Sequence, residues 1–229
     1  FSPNQSFIAC IADVWFESYK KILKQKVRPT VSEMKQKIIN ELTVDKFVTL
    51  QNGNLMKKFY PNATNELVDM TDLTKYSNVF SSNKTKSIIY EKADKSNPEQ
   101  INALIKLARS YSNFIEFLKD DTVNIDYEYL WDFICNPNDT IFHKGVNLVI
   151  IELVRKDITD SVELICPSNH YSSTFFNTKK DTLLILKIDN FYEPIYGYET
   201  NNKDEILIEP YFNSMSNDIL PNIKHYSST

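Results

Sequence analysis

Apolar residues recur every three to four positions through the first part of the chain, which predicts a run of amphipathic helices. Phe7, Ile8, Ile11, Val14, Trp15 and Ile22 share one face after the polar triplet Asn4-Gln5-Ser6, and Ser6 is placed to cap that helix. Pro29-Thr30-Val31-Ser32-Glu33 reads as a capping box, with Thr30 as cap, Glu33 reaching back, and Met34, Ile38, Ile39 and Leu42 on the buried face. A further helix is expected from Asp45 to Leu50, stopped by Asn52-Gly53, and a short turn through Leu55, Met56 and Phe59 before Pro61. Residues 62–95 read as polar connection, with Ser81–Lys86 as the loop. Asn97-Pro98-Glu99-Gln100 is the clearest helix start: Asn97 caps, Pro98 sits at the first helical position, and Gln100 stands third. A long stripe follows from Ile101 through Leu104, Ile105, Ala108, Tyr111, Phe114, Ile115 and Leu118. Asp126 opens one more helix through Leu130, Trp131 and Ile134.

Beyond residue 140 the period changes. Val146–Val154 is β-branched and nearly continuous, as in a strand covered on both faces. Ser161–Cys166, Thr182–Ile188, Phe191–Tyr198 and Glu205–Ile208 read as shorter strands, and Asp189-Asn190 joins two of them at hairpin distance. Helices first and strands last predict an α+β fold, a helical N-terminal part packed on a mostly antiparallel C-terminal sheet. One domain is expected over 1–229, helical to 140, strand-rich over 141–212, with a tail over 213–229; it opens at Phe1 without an initiator Met, as a domain cut from a longer protein would.

Composition narrows the chemistry. With 229 residues, 42% hydrophobic and 24% charged, the chain can bury a core without metal or disulfide. A net charge of −4 gives no general reason to expect nucleic acid as a partner. No apolar run reaches the roughly 18 residues of a membrane span, so no membrane is expected either. Three glycines exclude the Gly-rich phosphate loops, and no cofactor is expected. Cys10, Cys135 and Cys166 are too few and too scattered for a disulfide framework or a zinc site, and their odd number favours a reducing compartment. Four glycosylation sequons, at Asn4, Asn62, Asn83 and Asn138, carry little weight in a chain this rich in Asn.

Candidate chemistry is sparse. His143, His170 and His225 are the three histidines, and each reads most simply as a surface residue. Cys10 lies one turn inside the first helix, deep for a dipole-activated thiolate, and fits a small core position. Ser6 has the better location and the weaker nucleophile. Lys20, Lys21, Lys24, Lys26 and Arg28 form the basic run, which suits the negative end of a helix. Tyr192, Tyr196, Tyr198 and Tyr211 read as a recognition surface or as the half-buried face of an edge strand.

Two segments add a resemblance. Asn4-Gln5-Ser6-Phe7-Ile8-Ala9-Cys10-Ile11-Ala12-Asp13 resembles the nucleophile motif of ovarian-tumour (OTU) cysteine proteases, roughly Asp-Gly-Asn-Cys-Leu-Phe-Arg-Ala-Ile-Ala, with its Cys at a helix N-terminus. Aligned through Ile11-Ala12-Asp13, Ser6 stands where that family has its Cys. The family's last strand, turn and base look like Leu184–Ile195 here, with Phe191 where the His would be. The sequence style also resembles proteins of large nucleocytoplasmic DNA viruses.

The resemblance implies a papain-like, OTU-like architecture and a site that has lost its chemistry. A thiolate needs an imidazole within hydrogen-bond reach, and a benzyl ring has no lone pair to accept a proton. The expectation is therefore a catalytically inactive OTU-like domain of a larger viral protein, a protein-interaction or structural module whose partner is a protein, with ubiquitin as candidate. Its place is the host cytoplasm or the virion. The alternative is an active OTU-like cysteine protease or deubiquitinase cleaving ubiquitin-type isopeptide bonds. That requires Cys10 as nucleophile with His170, or a Cys natively at position 6, replaced by Ser, with His170 or His225 as base.

Overall fold

The computed structural model describes residues 3–24, 26–60, 70–81, 86–154, 162–165, 176–200 and 205–212, with backbone only for 70–72. Its helices are α1 (Ser6–Tyr19), α2 (Val31–Glu41), α3 (Val44–Thr49), α4 (Asn54–Phe59), α5 (Met70–Lys75), α6 (Ser77–Phe80), α7 (Ile88–Lys92), α8 (Pro98–Lys119) and α9 (Tyr127–Cys135). Its strands are β1 (Asn147–Leu153), β2 (Val162–Ile165), β3 (Thr182–Ile188), β4 (Phe191–Ile195), β5 (Gly197–Thr200) and β6 (Ile206–Glu209). Helices precede strands throughout, and the fold class is α+β. Two compact units divide the chain: residues 1–38 with 121–229, and Ile39–Asp120.

The first unit carries the sheet, in the order β2-β1-β3-β4. Its outer pairs are antiparallel and its central pair, β1 with β3, is parallel. Leu148, Val149 and Ile150 are fully buried in succession, so β1 is covered on both faces, as its β-branched run predicts. Asn147 starts this strand. Its side-chain amide donates to the Asn177 and Lys180 carbonyls at 2.9 and 3.2 Å, and its Oδ1 accepts the Asn177 N–H at 2.8 Å, fixing the entry to β3. Asp189 and Asn190 form the two-residue turn between β3 and β4, with Asp189 at φ 53°. The expected strand Phe191–Tyr198 is two strands: the chain leaves the main sheet after Ile195 and pairs β5 with β6 in a separate two-stranded sheet.

Helix α1 is the centre of this unit. Phe7, Ile8, Cys10, Ile11, Ala12, Val14 and Trp15 are all buried, most of its circumference, so packing rather than one amphipathic stripe holds it. The Phe7 ring meets Tyr192 of β4 edge-on at 5.3 Å, and Trp15 Nε1 donates to the Thr140 carbonyl at 3.1 Å. Asn138 is buried, its Oδ1 accepting the N–H groups of Ile141 and Phe142 at 2.7 and 2.9 Å. Its Nδ2 donates to the Phe133 and Asn136 carbonyls at 3.4 and 3.2 Å, so the folded state offers no free amide nitrogen at that sequon, while Asn62 and Asn83 lie outside the described residues.

The second unit is helical. Its centre is aromatic: Phe114 of α8 stacks against Phe47 of α3 at 5.3 Å and meets Phe59 of α4 at 4.8 Å. Asn97 caps α8 by accepting the Glu99 N–H at 2.9 Å. Gln100 does not reach back to its own cap; it accepts the Asp94 N–H at 2.7 Å, tying down the preceding turn. Residues expected to be polar connection hold α5, α6 and α7 instead. Helix α7 is started from two sides: Ser87 caps it locally by accepting the Tyr90 N–H at 3.2 Å, and Asp45 of α3, remote in sequence, accepts hydrogen bonds from Ser87 Oγ (2.8 Å), Ile88 N–H (2.9 Å) and Ile89 N–H (3.3 Å).

Candidate functional site

The start of α1 and the start of β4 meet within the first unit. Ser6, Ala9, Cys10, Asp13, Arg28, Phe191, Tyr192, Glu193 and Pro194 line one cleft of about 150 Å³. Ser6 and Phe191, the two positions that the resemblance singles out, both line this cleft, although 185 residues separate them in the chain (191 − 6).

Ser6 does not cap α1. The cap position is Gln5, which makes no side-chain cap hydrogen bond. The Ser6 hydroxyl is turned to the strand instead. It donates to the Pro3 carbonyl at 2.8 Å, with the Asn190 carbonyl as a second acceptor at 3.2 Å, and it accepts the Tyr192 N–H at 3.1 Å. One hydroxyl proton is therefore shared between two carbonyls, neither of which can take it away as a base would.

The register explains why this contact forms. Phe191, Glu193 and Ile195 face β3 in the antiparallel ladder, so the Tyr192 and Pro194 nitrogens point away from it. Pro194 has no N–H, and Ser6 occupies the one at Tyr192. The outer edge of β4 is closed by a hydroxyl and a proline, which suppresses strand addition there. At the same register the Phe191 side chain is 37% exposed at the rim of the cleft.

Cys10 lines the cleft but is only 3% exposed. Burial pushes its thiol far above the ordinary range, and the carboxylates of Asp13 and Glu193 add to the shift. This is the opposite of an activated nucleophile, which is exposed and electropositive. Asp13 is itself paired with Arg28, Nε to Oδ1 at 2.9 Å, and faces the Tyr196 phenol, which burial and that carboxylate raise. Asp13, Arg28, Glu193 and Pro194 are cleft residues that sequence reasoning missed. Each lay inside a quoted segment: Asp13 is on α1 itself, Arg28 is brought to it by their ion pair, and the hairpin register sets Glu193 and Pro194 beside α1.

The remaining candidates lie elsewhere. His143 is exposed, and its ring packs edge-on against Tyr19 at 6.0 Å. Tyr19 ends α1, 13 residues from Ser6 (19 − 6), or roughly 20 Å at 1.5 Å per residue. His170, His225 and Cys166 lie outside the described residues. Cys135 closes α9, where burial pushes its thiol up to about 12 despite Lys180 nearby. The four tyrosines do not form one surface: Tyr192 is buried under α1, Tyr196 and Tyr211 are half-buried, and Tyr198 is exposed. Among the described residues no group of three or more His, Cys, Asp and Glu is placed to hold a metal ion, and no helix is long and apolar enough to cross a membrane. No family model matches the chain, and the searches of curated proteins and of solved structures gave no match.

Proposed function

We propose that this chain is an OTU-like domain of papain-like ancestry whose catalytic positions have been turned to structural use. It serves as a protein-interaction or structural module of a larger viral protein, in the host cytoplasm or the virion. The observation that carries the reading is the shared cleft. Ser6, at the family's nucleophile position, sits at the N-terminus of a buried helix against the strand that bears Phe191, at the family's base position. A hydroxyl bound between two carbonyls and an N–H, beside a benzyl ring, is a latch between helix and strand. The cleft keeps an aromatic rim and the Asp13–Arg28 pair, which suit a protein surface, and ubiquitin is the first partner to test.

The test uses the whole chain and a ubiquitin carrying a C-terminal electrophile. The expected outcome is no covalent adduct by intact-mass spectrometry and no cleavage of isopeptide-linked diubiquitin. A covalent adduct that disappears on Cys10→Ala or Ser6→Ala would overturn the proposal in favour of an active cysteine or serine hydrolase. Because the intact chain contains His170 and His225, the result covers those bases too.

A further inference from the structure

The basic run lies beyond α1 rather than on it. The helix ends at Tyr19, Lys20 is its C-cap, and residues 21–24 form turns in which Lys24 has φ 51°. The dipole argument therefore accounts for Lys20 alone. Lys20 and Arg28 are paired within the protein, with Glu17 and Asp13. Lys21, Lys24 and Lys26 are exposed. Between these cations stand three aliphatic side chains turned to solvent: Ile22 is 74% exposed, Leu23 54% and Val27 73%. They are three of the nine large exposed hydrophobic residues among those described, gathered within six positions.

Isolated exposed aliphatics are ordinary, but three interleaved with exposed lysines within residues 21–27 are not. Ile22 and Leu23 stand at the tip of the turns over 21–24, directly before Lys24 at φ 51°. We propose that this tip is a docking site for an anionic lipid surface. Ile22, Leu23 and Val27 enter the headgroup boundary, and Lys21, Lys24 and Lys26 meet the lipid phosphates and carboxylates around them. The long lysine stems reach past the aliphatic tip, so both contacts form together. Such a contact needs no spanning segment. It concentrates positive charge at one place on a chain whose net charge is −4, which orients the molecule toward a negative surface. Nucleic acid fits the same lysines less well: no aromatic ring stands in residues 20–28 to stack on a base, and the aliphatic tip would face phosphate. The inference is independent of the OTU reading.

The experiment is co-sedimentation of the whole chain with vesicles of phosphatidylcholine, alone or with phosphatidylserine, across a salt series. Binding is expected only to the phosphatidylserine vesicles, weakening as salt rises. Ile22→Ser with Leu23→Ser, and separately Lys21→Glu with Lys24→Glu, should each lower it by about tenfold or more. All four positions are exposed, so circular dichroism should be unchanged in both variants. No binding to phosphatidylserine vesicles at low salt overturns the proposal. So does equal binding to uncharged vesicles, undiminished binding by the serine variant, or binding of an RNA oligonucleotide without any vesicle binding.

Discussion

Ser6 shows how one side chain changes role when its surroundings are known. In the sequence it is a plausible N-cap; in the fold its oxygen is the acceptor for the Tyr192 N–H and so part of the β4 edge. Removing it leaves a buried backbone donor with no partner, which costs about 1–3 kcal/mol. Ser6→Ala should lower the unfolding free energy by that amount, read as a lower denaturant midpoint at an unchanged unfolding slope. A midpoint equal to that of the natural chain would mean that the hydroxyl does not hold helix to strand. Ser6→Cys tests the same point more gently, because sulfur fits the site but accepts hydrogen bonds weakly; its loss should fall between the two.

At the level of elements, signals written in neighbouring residues were readable and signals written across the chain were not. Asn97-Pro98 announces α8, and the Thr30–Glu33 box is realised with Thr30 N–H donating to Glu33 at 2.7 Å and Glu33 N–H to Thr30 Oγ1 at 3.2 Å. The two-residue turn Asp189-Asn190 likewise fixes its hairpin locally. Helix α7 has a local cap, Ser87 Oγ accepting the Tyr90 N–H at 3.2 Å, but the acceptor for its Ile88 and Ile89 N–H groups is Asp45, 42 residues before Ser87 (87 − 45). The parallel pairing of β1 with β3 is invisible for the same reason: nothing in either strand states which neighbour it takes. The placing of Ser6 and Phe191 in one cleft was legible only through resemblance, and the β4 side of that cleft waited on the hairpin register. Asp45→Ala should therefore act on α7 rather than on its own helix. It leaves the Ile88 and Ile89 N–H groups without this carboxylate, at about 1.5–3 kcal/mol for a charged acceptor. Amide exchange should quicken at residues 88–92 and stay unchanged across α1 and the main sheet. Equal quickening in both places would mean that Asp45 supports the whole fold and not that helix.

For the molecule as a whole, the buried acids have a consequence in alkali. Burial raises the thiols of Cys10 and Cys135 and the phenols of Tyr192, Tyr196 and Tyr211, and it takes Tyr127 up to about 12 with help from Glu128 and Asp126. A group whose pKa is raised by folding keeps its proton in the folded state after the unfolded chain has lost it. Stability from such groups is complete below their unfolded values, 9.0 for a thiol and 10.0 for a phenol, and declines as pH rises through the window up to the folded values. Urea midpoints should therefore be level just below pH 9 and fall steadily above it. For a group as buried as Cys10 the slope is at most about 1.4 kcal/mol per pH unit. Cys10→Ala separates this from general charge repulsion. The variant starts lower because it leaves a small cavity, but one titrating group is gone, so its midpoint should fall less steeply between about pH 9 and 11. Parallel curves for the two proteins would show that Cys10 does not hold its proton in the folded state. The thiol beside Ser6 would then be an ionisable one after all, and the case for a latch without chemistry would lose its second support.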